Sequence, residues 1–146
     1  MMKRTDVIKK DLRKIRTNLK KFATGKRAYC ARTLECMCGI SGLLTFRYLK
    51  SIGLRPTFHE NDIHCFVTCN IDNAKYYIDL TMKQFHSRYP AIYLDTKPVR
   101  NVPKWVDYIN PHQVIESAKT ETKIKKIFKR WPAEQNPYLL DRLPFL

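Results

Sequence analysis

The sequence predicts an α+β domain, and three observations carry that expectation. A helix-period apolar stripe opens the chain, and a second helical stretch follows it. Several short strand-like runs then crowd into the middle, divided by turn chemistry, before a last helical pattern. At 146 residues with 44% hydrophobic side chains, the chain can fill one core and gives no reason for a second, so 1–146 is read as a single domain. The same composition excludes a disordered chain, and no apolar run is long enough for a membrane span.

Ile8, Leu12, Ile15, Leu19 and Phe22 recur at spacings of four and three, predicting an amphipathic helix over 5–22. Thr5 is its expected cap and Gly25 its stop. The opposite face carries Lys9, Lys10, Arg13, Lys14, Arg16, Lys20 and Lys21. Such a face is either simply solvated or a docking face for a membrane surface or nucleic acid. A second helix is expected over Gly39–Ser51, with Ile40, Leu43, Leu44, Tyr48 and Leu49 apolar and Gly53 past its end. Leu54–His59, Ile63–Asn70 and Lys75–Leu80 read as strands, the last two joined through Asp72-Asn73, and Ala91–Leu94 as a fourth. Pro98, Pro103 and Pro111 break up a loop-rich stretch. A final helix is expected from Asn110 as cap and Pro111 in its first turn to about Trp131, burying Ile124, Ile127, Phe128 and Trp131. The Pro-rich end with Leu139, Leu140, Leu143 and Phe145 is too apolar to hang free and is expected to pack back. Trp105 and Trp131 read as core or interface anchors.

Charge is placed unevenly. The net of +15 divides into +10 over residues 1–32, zero over 33–96, +6 over 97–130 and −1 at the end. A neutral middle flanked by basic segments predicts attraction to an acidic protein partner or nucleic acid through the flanks. No RNP aromatic pattern, helix-turn-helix cadence or zinc-finger spacing accompanies the charge. Five cysteines, an odd number, and a start without the apolar stretch of a signal peptide favour free thiols in a reducing cytoplasm. Delivery by a signal-less secretion route would leave the same pattern.

Chemistry concentrates in the neutral middle. Cys38 stands where the second helix begins, and there backbone N–H groups and the helix dipole favour thiolate. The same amides can receive an oxyanion during acyl transfer. If the hairpin is centred on its turn, Asp79 opposes Phe66, so His64, two residues from Phe66, lies on Asp79's face and within diagonal reach. A one-residue slip would separate them. A thiol at a helix start beside a His–Asp pair is the arrangement of a thiol hydrolase or acyltransferase.

The run Cys36-Met37-Cys38-Gly39-Ile40-Ser41-Gly42, then His64-Cys65-Phe66-Val67, then Asp79-Leu80-Thr81 with Gln84-Phe85, resembles small bacterial papain-like cysteine proteins of the transglutaminase-like branch. The similarity covers roughly residues 30 to 95 and leaves both basic flanks outside it. It implies a papain-like core, with Cys38 as nucleophile, His64 as general base and Asp79 as the partner that orients it. That superfamily includes peptidases, amidases, glutamine deamidases, transglutaminases and acyltransferases, so a reaction type is implied and not a substrate. Where papain-like peptidases commonly carry a Gln six residues before the nucleophile, this chain has Arg32. Gln84 is an auxiliary candidate that can orient the imidazole or cap a loop.

The rival use of these atoms is zinc, through Cys36, Cys38, His64, Cys65 and Cys69. C-x-C is a poor pairing, and neighbours such as His64 and Cys65 on one strand point to opposite faces, so no metal is assigned and no organic cofactor is required. Cys65 and Cys69 read as small core residues, and His59, His86 and His112 as solvated or locally bonded. The expectation is a Cys38-dependent acyl-transfer enzyme that hydrolyses a peptide bond or a Gln side-chain amide of a protein or peptide substrate. The alternatives are transfer to an amine acceptor, or a binding module for nucleic acid or an acidic partner.

Overall fold

The computed structural model describes residues 2–24, 37–61, 64–99, 110–132 and 136–139. Among them the fold is α+β. The helices are α1 (Arg4–Thr24), α2 (Cys38–Ser51) and α3 (Glu121–Phe128). The strands are β1 (Thr57–Glu60), β2 (Cys65–Ile71), β3 (Ala74–Asp79), β4 (Tyr93–Asp95) and β5 (Glu116–Ala118), forming one sheet in the order β4-β3-β2-β1-β5. Every neighbouring pair is antiparallel.

The stripe of α1 buries Ile8, Leu12 and Leu19, with Ile15 and Phe22 packed beside them. Thr5 lies inside the first turn instead of capping it, because the Lys3 carbonyl already accepts from the Asp6 and Val7 amides. Gly25 falls outside the described residues. Arg16 leaves the basic outer face to which the sequence assigned it. It follows Leu12 by four positions and precedes Leu19 by three, so the helix phase places it on the buried stripe. There its Nε donates to the Leu80 carbonyl at 3.1 Å, one residue beyond Asp79.

Helix α2 is buried along nearly its whole first half and lies against the sheet. A Cβ at Gly42 would stand 2.7 Å from the Phe58 ring, so the close approach of helix and sheet needs glycine there. Gly53, at φ +85°, ends the helix as expected.

Asp72 and Asn73 both take positive φ, 49° and 68°, the two-residue turn whose twist matches a hairpin. The β2–β3 register runs Val67↔Ile78, Thr68↔Tyr77 and Asn70↔Lys75, the centred pairing. Alternation then sorts the sheet into two faces. Phe58, Cys65, Val67, Cys69 and Ile78 join the core beneath α2. His59, Phe66, Thr68, Tyr77 and Asp79 look the other way, where His112 stacks on Phe66 with ring centroids 4.5 Å apart.

The expected helix from Asn110 does not form. Asn110 Oδ1 accepts from the His112 amide at 2.9 Å, a local turn, and the chain then runs extended. The Ile115 amide donates to the Glu60 carbonyl, and Glu116–Ala118 adds to the edge of β1 as a strand that the sequence reading missed. Thr120 caps the last helix, its Oγ1 accepting from the Lys123 amide. That helix buries Ile124, Ile127 and Phe128 as expected, whereas Trp131 lies beyond its end, half-buried against Phe128. Pro137–Leu139 forms a 3-10 turn, and Tyr138 packs on the core. Trp105, Leu140, Leu143 and Phe145 lie outside the described residues. No helix among the described residues is long and apolar enough to cross a membrane.

Candidate active site

Cys38 is the first residue of α2. The Met37 carbonyl accepts from Ser41 at 2.9 Å, so the amides of the first turn have no partner within the helix. Gly39 follows the thiol because a Cβ there would stand 2.5 Å from the Trp131 ring. The indole of Trp131 thus packs directly beside the helix start.

His64 stands just before β2, its amide donating to Asn61 Oδ1 at 2.9 Å while the Asn61 amide donates back to the His64 carbonyl. Its Nε2 lies 2.7 Å from Asp79 Oδ2, with both side chains fully buried. Nδ1 is left facing the amide nitrogen of Gln84 at 3.4 Å, and the ring is near enough to Cys38 to act on its thiol. The Phe85 ring meets the imidazole edge-on at 4.9 Å.

The Asp79 carboxylate is saturated. Oδ1 accepts from the Thr81 amide at 2.9 Å and the Thr81 hydroxyl at 3.1 Å, while Oδ2 takes His64 and His112, the latter at 3.0 Å. Gln84 Nε2 donates to Thr81 Oγ1 at 3.1 Å, completing a chain from Gln84 through Thr81 to Asp79. Each named position of the Asp79-Leu80-Thr81…Gln84-Phe85 run except Leu80 therefore touches the carboxylate, the imidazole or Thr81. Leu80 serves through its carbonyl, held by Arg16.

Two side chains that the sequence left without a role complete the site. His112 is buried, not solvated. Its Nδ1 accepts from the Val99 amide at 3.2 Å, so Nε2 carries the hydrogen that it gives to Asp79. Asn61, fully buried, donates through Nδ2 to the Asn110 and Pro111 carbonyls and so ties the His64 loop to the His112 loop. Cys65 keeps its expected place in the core, and from there it, like His64, acts on the Cys38 thiol. Cys69 and His59 are buried in the sheet, and His86 accepts locally from the Arg88 amide. Cys30, Arg32 and Cys36 lie outside the described residues.

The electrostatics of the site favour the charged forms of its groups. A hydrogen bond from Cys65 is the largest influence on Cys38; burial opposes it, and His64 adds to it, holding the Cys38 thiol well below its ordinary value. Burial and the neighbouring Cys38 push the Cys65 thiol well above its own, so it is the donor. Burial alone would lower His64, but the charge and hydrogen bond of Asp79, joined by Cys38, push it up to about 10. Burial alone would raise Asp79, yet His64 and His112 hold its carboxyl below the usual carboxylate range. The shifts thus run in one direction at all three groups, toward thiolate at Cys38, imidazolium at His64 and carboxylate at Asp79.

His64, Asp79 and His112 are also the described side chains close enough to gather around a metal ion. The proton on His112 Nε2 is aimed at Oδ2, where a metal would need a lone pair, and Asp79 has no acceptor position left over. The set is arranged for hydrogen bonding.

No family model, no curated protein and no solved structure matches the chain.

Proposed function

We propose that this protein is a thiol-dependent acyl-transfer enzyme of papain-like, transglutaminase-like type, hydrolysing an amide through a thioester on Cys38. The observation that carries the reading is the unbroken line Cys38–His64–Asp79, a thiol at a helix start coupled to an imidazole whose far nitrogen is held 2.7 Å from a buried carboxylate. The Cys38 thiolate attacks the amide carbonyl carbon, and the amides of the first turn of α2, which have no partner within the helix, receive the developing oxyanion. His64 gives its Nδ1 proton to the departing nitrogen, leaving a neutral ring and an acyl thioester. The same nitrogen then takes a proton from water as it attacks the thioester. The carboxylic acid is released, and thiolate and imidazolium are restored. Asp79 keeps the ring in the tautomer that exposes Nδ1 throughout. The bond attacked is that of a peptide or of a Gln side chain, and an amine in place of water would give transfer.

The test uses p-nitrophenyl acetate as a generic acyl donor, followed by a peptide mixture containing Gln. A burst of nitrophenol with one acetyl group on Cys38, absent in Cys38→Ser and slowed in His64→Ala, supports the acylation step. Cleaved or deamidated peptides then name the bond. Equal acetylation of several cysteines, unaffected by His64→Ala, contradicts the reading.

A further inference from the structure

At the far ends of α2 and β2 from Cys38 the structure has a concavity, about 810 Å³ in volume. Lys50 lies twelve residues along α2 from Cys38, about 18 Å at the helical rise. Lys50, Arg55, Lys75 and Lys119 surround the cavity, and no Asp or Glu lines it among the described residues. All four cations are exposed at the rim. Lys50 also feels the charge of Glu121, whereas Arg55, Lys75 and Lys119 make no ion pair among the described residues. The Lys75 ammonium sits over the Tyr77 ring at 5.3 Å, which directs it along the sheet.

The floor is polar and built. His59 and Thr68 are both more than nine-tenths buried, and His59 binds the Thr68 hydroxyl at 2.6 Å and the Ser117 hydroxyl at 2.7 Å. Burial, aided by Lys75 and His112, lowers His59 to about 4, so the ring is neutral. A neutral imidazole donates from one nitrogen and accepts at the other. One of the two hydroxyls therefore keeps its own O–H to offer to a ligand. Leu54 and Pro56 supply an apolar wall. A cationic rim, a hydroxyl floor and an apolar wall at this volume suit a small molecule with several negative charges and an organic body.

We propose that this cavity is a binding site for a small phosphorylated molecule of nucleoside-diphosphate size, separate from the thiol site. Calorimetry of the full chain with ADP tests it, with inorganic pyrophosphate and a short single-stranded RNA as further arms. The expected result is saturable binding of one ADP, weaker with pyrophosphate, and reduced more than ~10-fold in Arg55→Gln/Lys75→Gln/Lys119→Gln, since charge-assisted contacts are the strong ones. The same number of charges removed from α1, in Lys10→Gln/Arg13→Gln/Lys21→Gln, should leave ADP affinity within about 3-fold, a change small on the free-energy scale. Ser117→Ala probes the floor without touching net charge and should also weaken binding. Equal losses from the two charge-removal variants would overturn the proposal in favour of diffuse attraction to a basic protein. RNA that displaces ADP and binds more tightly would overturn it in favour of a nucleic-acid backbone, and no saturable binding of ADP or pyrophosphate would overturn it outright.

Discussion

Two histidines five positions apart, His59 on β1 and His64 before β2, are both buried, yet their environments drive them in opposite directions. His59 has hydroxyls on both nitrogens and is lowered to about 4, chiefly by burial. His64 has Asp79 on one nitrogen and is pushed up to about 10 against the same burial. Burial therefore does not decide what a histidine does here; the charge of its partner does. The first is held toward its neutral form, and the second toward its cation, beside a thiol that is itself held below its ordinary value.

Removing the partner charge should give the largest effect. Asp79→Asn leaves His64 without its counter-ion, and alkylation of Cys38 at pH 6 should fall by more than ~10-fold as thiolate is lost. Breaking so buried a pair should also cost roughly 3–5 kcal/mol of stability, measured by urea unfolding. Unchanged low-pH alkylation in a folded Asp79→Asn would break the comparison. The reverse experiment sharpens it. Ser117→Asp sets a carboxylate beside His59, and the ring should titrate about 1–3 pH units higher by NMR. A separate effect is expected at the thiol pair, where Cys65→Ala removes the largest of the influences that hold the Cys38 thiol down and leaves the buried His64–Asp79 pair intact. The onset of alkylation should move toward higher pH while His64 remains coupled to Asp79. The smallest is Gln84→Ala, which removes a 3.4 Å neighbour of Nδ1 and should change turnover by only a few-fold, with stability nearly unaltered.

The pH profile of turnover follows from the same groups. Cys38 is held below its ordinary value, so activity should already be present below the free-thiol range and fall only when acid protonates the thiolate. His64 must be charged to protonate the leaving nitrogen, so the alkaline limb should fall near pH 10, measured as acylation rate against pH. The sign for stability is fixed by Asp79. A carboxyl depressed in the folded state stabilises above its unfolded value near pH ~4, and that contribution disappears as pH falls through the folded value.

The proximity of His64 and Asp79 was legible because it depends on short-range chemistry. A two-residue turn at Asp72-Asn73 sets the register, and register sets which residues share a face. Arg16 was also legible in principle, since helix phase alone places it between Leu12 and Leu19. His112 and Asn61 were not. His112 reaches Asp79, and Asn61 reaches the His112 loop, across more than thirty residues, from loops that carry no periodicity to announce which side chains turn inward. Cys65 sits in the core as its strand position predicts, but its influence on Cys38 depends on where α2 lies over the sheet, which the strand pattern does not carry. The β5 strand is three residues long and gains its identity from the edge of β1 rather than from its own sequence. Asn110-Pro111 carried genuine helix-start chemistry, but the Asn side chain closed a local turn on His112 instead.

The central claim is that Cys38 is an activated thiol because Cys65 and a His64 held charged by Asp79 both favour its thiolate form. Iodoacetamide alkylation followed by intact mass across pH, in wild type, Cys38→Ser and His64→Ala, tests it most directly. The account predicts one cysteine that reacts rapidly well below the free-thiol pKa of about 8.5, lost in Cys38→Ser and slowed in His64→Ala. Slow and uniform reaction of all the cysteines, with no difference between wild type and His64→Ala, would contradict it.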